Sequence, residues 1–376
     1  YFLMVRNLTG GTASDPRRRY RLSVRREVPD FHLALVPHRG DVPTGWNVPL
    51  GGRAVADVWV QRRRGLDGPI RIRASDLPAG VECPDVWVGA GQNHALLVLS
   101  ALHAREPILG RMTLTGEAEY VGRQFQRPVD GGTSIRAGHP MGRGRYTDGI
   151  PLASGPETRL VLTAVVPEGS VFQGSIVDVG IELQRGPGVT GDVRVVGADW
   201  PDGLPHVETT IPAGSDRGWL SVAIPSAWSP GPISLVLQAE TSVAAVAPAK
   251  TASPLVVWSN AITLPVEPGR IHLTIDPATP RRVARGEVIH VRYRAERKQG
   301  FIGKIHTELA APGGVEGVRG RGVTFTGQTD TGEIQLIATE NAPLGPLPFL
   351  RLDAVGTVED KPVYRGGQFL MLEITE

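Results

Sequence analysis

Residues 54–61 read AVADVWVQ, residues 176–184 read IVDVGIELQ, and residues 288–294 read VIHVRYR. Each stretch is read as a strand in which apolar side chains alternate with polar ones. A period of two sends one set of side chains into a core and the other into water, which marks a half-buried β-strand. Trp59, inside the first stretch, is read as a core residue facing inward with Val55. Similar short runs of Val, Ile, Leu and Thr fill the chain, bounded by Gly, Pro, Asp or Asn. No stretch of a dozen residues has a helical period. Residues 241–252 are Ala-rich, but Pro248 interrupts them, so they read as a loop or one short helical turn. Gly (47) and Pro (32) make about a fifth of the 376 residues and stand as punctuation between the apolar runs.

The turns recur in order. A long alternating strand ends in a basic or polar tip, followed by a Gly turn at 65–70 (GLDGPI), 189–193 (VTGDV) and 301–305 (FIGKI). A Pro/Gly turn comes next, at 77–81, 200–204 and 311–315. Then a turn leads into a strand at 89–92, 212–215 and 326–329, and a last Pro-Gly approach lies at 107–110, 229–232 and 343–346. The turn glycines Gly68, Gly191 and Gly303 are 123 and 112 residues apart. About 100 residues with some seven strands is the size of an immunoglobulin-type sandwich. The expectation is an all-β chain of tandem immunoglobulin-like β-sandwiches at 30–138, 139–269 and 270–376. Residues 1–29 read as the last hairpin of a preceding β domain, through Tyr1–Arg6 and Tyr20–Val24. Residues 129–156, Gly-rich with few apolar side chains, read as a long loop at the start of the second sandwich.

The order of motifs resembles the immunoglobulin-like repeats of large exported proteins from planctomycetes and similar bacteria, and the NEW3-type modules beside some glycosidases. Leu77-Pro78-Ala79-Gly80-Val81, Gly89-Ala90-Gly91-Gln92 and Ala342-Pro343-Leu344-Gly345 carry the likeness. The middle copy departs from it, with Trp200-Pro201-Asp202 where that pattern has Leu-Pro. The N-terminal piece is similar to the end of a bacterial pre-peptidase C-terminal domain, through Tyr20–Val24 and the Asn7–Gly11 turn. The resemblance implies mostly non-catalytic modules that sit beside other domains, and it brings no functional residues with it.

Composition narrows the function classes. The net charge is +2, from 40 basic and 38 acidic residues, so no broad field draws nucleic acid or an anionic membrane. No run of 18 apolar residues appears, so no membrane-spanning segment is expected. The single cysteine, Cys83, excludes an intrachain disulfide and a Cys-based zinc site, and reads as a small core residue. The Gly-x-Ser-x-Gly elbow, the His-Glu-x-x-His helix and the EF-hand loop are all absent. The Gly-rich stretches 317–322 and 142–144 have no following helix to hold a phosphate.

Scattered polar residues remain. His32 and His272 hold equivalent outward places in opening strands. His290 and His306 are expected on neighbouring strands, where they could approach each other, but two histidines without a third ligand make a weak metal site and read as structural. The runs Arg17–Arg19 and Arg62–Arg64 read as solvated tips that blunt edge pairing, with contact to an acidic polysaccharide or a neighbouring chain as the functional alternative. Trp46, Trp228 and Trp258 fall near loop or strand ends, where exposed indoles suit sugar stacking or a protein interface and covered ones a core or inter-domain contact. The candidate binding residues are Trp46, Arg143, Arg145, Tyr146 and Trp228. No catalytic residue, metal or cofactor is expected.

These observations lead to an expectation of a non-catalytic extracellular or cell-surface segment of a larger exported bacterial protein. Its expected partners are other domains of the same parent chain, other proteins or cell-surface polysaccharide. The alternative is an accessory carbohydrate- or partner-binding region of a secreted protease or glycosidase.

Overall fold

The computed structural model describes residues 28–38, 46–135, 143–147, 149–166, 169–244, 251–326 and 330–376, without the side chains of 133–135 and 143–147. The hairpin expected before residue 28 lies outside them. Among the described residues every regular element is a β-strand, and no helix is long and apolar enough to cross a membrane. The chain is all-β and built of immunoglobulin-like β-sandwiches.

In the second sandwich, strands Leu160–Val165, Ile176–Arg185, Arg217–Ala223 and His206–Val207 lie side by side in that order. They face a sheet ordered Thr209–Ile211, Val193–Gly197, Leu237–Val243, Ser253–Trp258. A third, short sheet runs Val171–Phe172, Ile262–Glu267, Gly231–Leu235, its first pair parallel. The third sandwich repeats this arrangement place for place. It has Ile271–Ile275, Val288–Arg297, Thr331–Ala338 and Val318–Gly320 against Val323–Phe325, Lys304–Ala310, Arg351–Val358 and Lys361–Phe369. Its short sheet is Arg282–Ala284, Leu372–Thr375, Gly345–Leu347, again with the first pair parallel.

The first sandwich is larger. Asp30–Pro37, Arg53–Arg63 and His94–Ser100 form one side, and Val86–Val88, Ile70–Ser75 and Leu109–Tyr120 the other. The region expected to be a loop is mostly strand. Arg123–Ile135 hairpins with Leu109–Tyr120 and also runs parallel to Asp30–Pro37. Ile150–Gly155 pairs with Leu109–Tyr120 and, in parallel, with Trp46–Pro49. The first sandwich therefore runs to Gly155, and the boundary expected at 138/139 moves beyond it. The reason is a short alternation, Ile150 and Leu152, both fully buried in the first core, which the surrounding glycines conceal.

One arginine recurs in all three sandwiches. Arg62, Arg185 and Arg297 each close a long strand and each donate to the carbonyl of the turn glycine six residues later: Gly68 at 2.6 Å, Gly191 at 2.7 Å and Gly303 at 3.3 Å. The same guanidinium reaches the turn that leads into the next strand. Arg62 donates to Gly89 O at 2.8 Å and Gln92 O at 2.7 Å, and Arg185 to Ser215 O at 3.1 Å. Arg297 donates to the Asp330 carboxylate at 3.1 Å. A planar fork of five donors suits this task, and a charged donor strengthens each bond. Arg62 is thus a clamp on the carbonyls of two turns, and not the solvated tip expected of the 62–64 run.

Candidate functional site

The chemistry-bearing side chains gather at the seams between sandwiches. Strand Arg53–Arg63 is covered on both faces over residues 54–58. Ala54, Ala56, Val58 and Val60 point into the first core. Val55, on the other face, joins Leu96 and Val98 in a separate apolar cluster with Ala198 and Val236 of the second sandwich. Two hydrogen bonds cross the same seam: Trp87 N–H to Ser234 Oγ at 2.8 Å and Arg53 Nη1 to Leu162 O at 2.7 Å.

Trp59 follows Val55 on this second face, beyond the cover, and is 51% exposed. The expectation of a core Trp59 is therefore wrong. The period of two holds, but the even-numbered positions are the core set. Trp59 instead lies against the His94 ring, centroids 4.6 Å apart.

Asp57 is buried on the seam face. His38 Nδ1 lies 3.1 Å from its Oδ1, and His94 Nε2 lies 2.8 Å from the same oxygen. His38 Nδ1 is also 3.5 Å from Asp199 Oδ2, so one imidazole faces carboxylates of two sandwiches. Burial works to raise the Asp57 pKa, but the bonds from both histidines outweigh it and hold the carboxyl at about 2. Trp258 meets His38 edge to face at 6.0 Å, and both Trp258 Nε1 and His38 Nε2 are buried without a hydrogen-bond partner among the described residues.

The second seam is ionic. Arg351 places Nη1 and Nη2 at 2.8 and 2.7 Å from the two oxygens of Asp178, and Nε at 2.9 Å from Asp353 Oδ1. Ser221 Oγ also donates to Asp178 Oδ1 at 2.6 Å. Burial pushes the Asp353 carboxyl above its ordinary range, and Arg351 only partly offsets this. Gly367 N–H donates to Gly174 O at 2.8 Å, and the Phe172 and Tyr364 rings meet at 5.5 Å. An open cleft of about 290 Å³ beside this seam is lined by Asp178, Trp219, Arg351, Asp353 and Arg365. A wider one, about 690 Å³, opens in the third sandwich among Arg270, Phe301, Lys304, Asp360 and Tyr364.

Of the sequence-derived binding residues, Trp46 and Trp228 are not brought together: they belong to different cores. Trp46 is 6% exposed and belongs to the first core, so it is no surface platform. It begins strand Trp46–Pro49 beside Ile150–Gly155, and that pairing seals it. Trp228 is half-buried against the second core, and its carbonyl accepts from Gln173 Nε2. Arg143, Arg145 and Tyr146 lie on a strand paired with Arg123–Ile135, and their side chains are outside the described residues. His290 and His306 belong to different sheets: His290 is paired with Glu333 and His306 with Thr324, so they do not form a pair. Cys83 packs against the first core, where burial pushes its thiol up to about 12. The His38–Asp57–Asp199 group escaped sequence reading because its members are far apart in the chain and share no motif.

No family model and no curated protein matches the chain. Among solved structures it is similar to a marsupial T cell receptor, at 11% identity and TM-score 0.20 over 87% of this chain and 99% of that one. It is also similar to Salmonella alpha-2-macroglobulin reacted with methylamine, at 11% identity and TM-score 0.21 over 92% of this chain and 33% of that one. For the native conformation of E. coli alpha-2-macroglobulin the values are 14% and 0.18, over 96% of this chain and 24% of that one. The chain thus spans a third or less of the two alpha-2-macroglobulin chains.

Proposed function

We propose that this chain is a non-catalytic structural segment of a larger exported bacterial protein, in which successive β-sandwiches hold neighbouring domains at a fixed spacing and angle. The observation that carries this reading is the dual burial of strand Arg53–Arg63, whose Val55 packs with Leu96, Val98, Ala198 and Val236 across the first seam. An interdomain contact of this kind restricts the relative motion expected by default between linked domains. The bidentate Arg351–Asp178 pair acts the same way at the second seam. The recurring arginine clamp and the matching strand order of the second and third sandwiches support a tandem repeat built to a common plan.

Small-angle X-ray scattering of the whole chain, with and without Val98→Asp, tests this. A single fixed arrangement should fit the wild-type profile, and the charge placed in the seam should broaden it. A wild-type profile that needs freely reorienting sandwiches would sink the reading. Specific binding of a polysaccharide would replace it with an accessory binding role.

A further inference from the structure

We propose that His38, Asp57 and Asp199 bind one divalent ion of the zinc type at the seam between the first and second sandwiches. This goes beyond the structural role above and stands whether or not that role holds.

The donor spacing carries the proposal. His38 Nδ1 lies 3.3 Å from Asp57 Oδ2 and 3.5 Å from Asp199 Oδ2, and one donor atom from each of the three residues falls within 4.8 Å of the others. Zinc takes nitrogen and oxygen ligands at about 2.0–2.1 Å in tetrahedral geometry, which sets neighbouring donors about 3.3 Å apart. One imidazole and two carboxylates also suit a borderline ion. Calcium would require about six to eight oxygens, more than these residues offer.

The surroundings fit a site held in advance. Asp57 uses Oδ1 for His94 Nε2 at 2.8 Å, which leaves Oδ2 for the ion and makes His94 the outer partner that orients the carboxylate. The His38 side chain is 2% exposed, while that of Asp199 is 45% exposed and leaves a path for the ion and a fourth, water ligand. Asp199 sits at φ +42°, in the left-handed region. Its neighbours fix that turn: Ala198 N–H and Trp200 Nε1 both donate to Val236 O, at 2.9 and 2.7 Å. An ion there would neutralise two facing carboxylates and join strand Arg53–Arg63 of one sandwich to the 198–200 turn of the next.

The test is a zinc titration of the whole chain after chelator treatment, followed by cobalt substitution. One equivalent should bind, raise the melting temperature, and give the visible spectrum of tetrahedral cobalt. Asp199→Asn and His38→Gln should each weaken zinc binding at least tenfold, and His94→Gln should weaken it less. His290→Ala, at the exposed His290–Glu333 pair, should leave it unchanged. Should His38→Gln unfold, Asp199→Asn carries the test alone, since its side chain is half-exposed. Failure to take up one equivalent, or uptake that Asp199→Asn leaves intact, would overturn the proposal.

Discussion

Arg351 grips Asp178 with both terminal nitrogens, although the two residues are 173 positions apart and belong to different sandwiches. Arg351 is 7% exposed, so its charge is largely out of water and needs its partners. Removing it strands Asp178 and Asp353 together. Arg351→Ala should cost about 3 kcal/mol, as for other broken buried pairs. Arg351→Lys should recover less than half of that, because an ammonium cannot make the two-pronged bond. Urea denaturation of the three proteins checks this. Equal midpoints would remove the pair from any part in holding the seam.

The arginine clamp makes a second prediction. Arg185 donates to Gly191 O, Ser215 O and Asp216 Oδ1 at 2.7, 3.1 and 3.0 Å. Arg185→Lys can keep one of these bonds and should lose about 1–3 kcal/mol. The control is Arg217→Lys, on an 83% exposed side chain, which should change stability by less than about 0.5 kcal/mol. A silent Arg185→Lys would mean that the turns hold themselves.

The two faces of strand Arg53–Arg63 can be separated by mutation. Trp59→Ala removes a half-exposed ring resting on His94 and should cost no more than about 1 kcal/mol. Leu97→Ala, on the strand hydrogen-bonded to it, empties a fully buried position and should cost about 2–5 kcal/mol. Thermal melts of both variants decide it. The reverse ranking would put Trp59 back in the core.

Acid should weaken the first sandwich through Asp30. Burial tends to raise its pKa, but Arg127 Nε at 2.9 Å and the Phe31 N–H at 2.8 Å outweigh that and leave it below the ordinary value. A lowered folded value contributes stability above the unfolded pKa of about 3.9. That contribution disappears as pH falls below this value and through the folded one. The pair is partly exposed, so the effect is small. Arg127→Gln should flatten the wild-type loss of melting temperature across this window. Parallel curves for the two proteins would exclude the pair as its source.

The all-β architecture was legible because alternation and turn glycines are local signals. Gly68, Gly191 and Gly303 all lie where a guanidinium closes on their carbonyls. Three things were not legible. The end of the first sandwich was hidden because Ile150 and Leu152 give only two inward positions among glycines. The facing of Trp59 was hidden because Val55 and Val58, on opposite faces, are both apolar; periodicity cannot tell a core from a seam. The meeting of His38, Asp57 and Asp199 depends on how one sandwich docks on the next, and no spacing in the chain encodes that.

The parallel pairs at the sandwich edges have a mechanical consequence. Val171–Phe172 runs parallel to Ile262–Glu267, Arg282–Ala284 to Leu372–Thr375, and Trp46–Pro49 to Ile150–Gly155. In each, an early strand lies beside the last strand of its own sandwich and points the same way. Tension applied through the chain pulls the start of one and the end of the other in opposite directions along the strand axis. The hydrogen bonds between them are then sheared together and do not open one after another. A stretched chain would meet its resistance at these short edge pairs before its cores come under load.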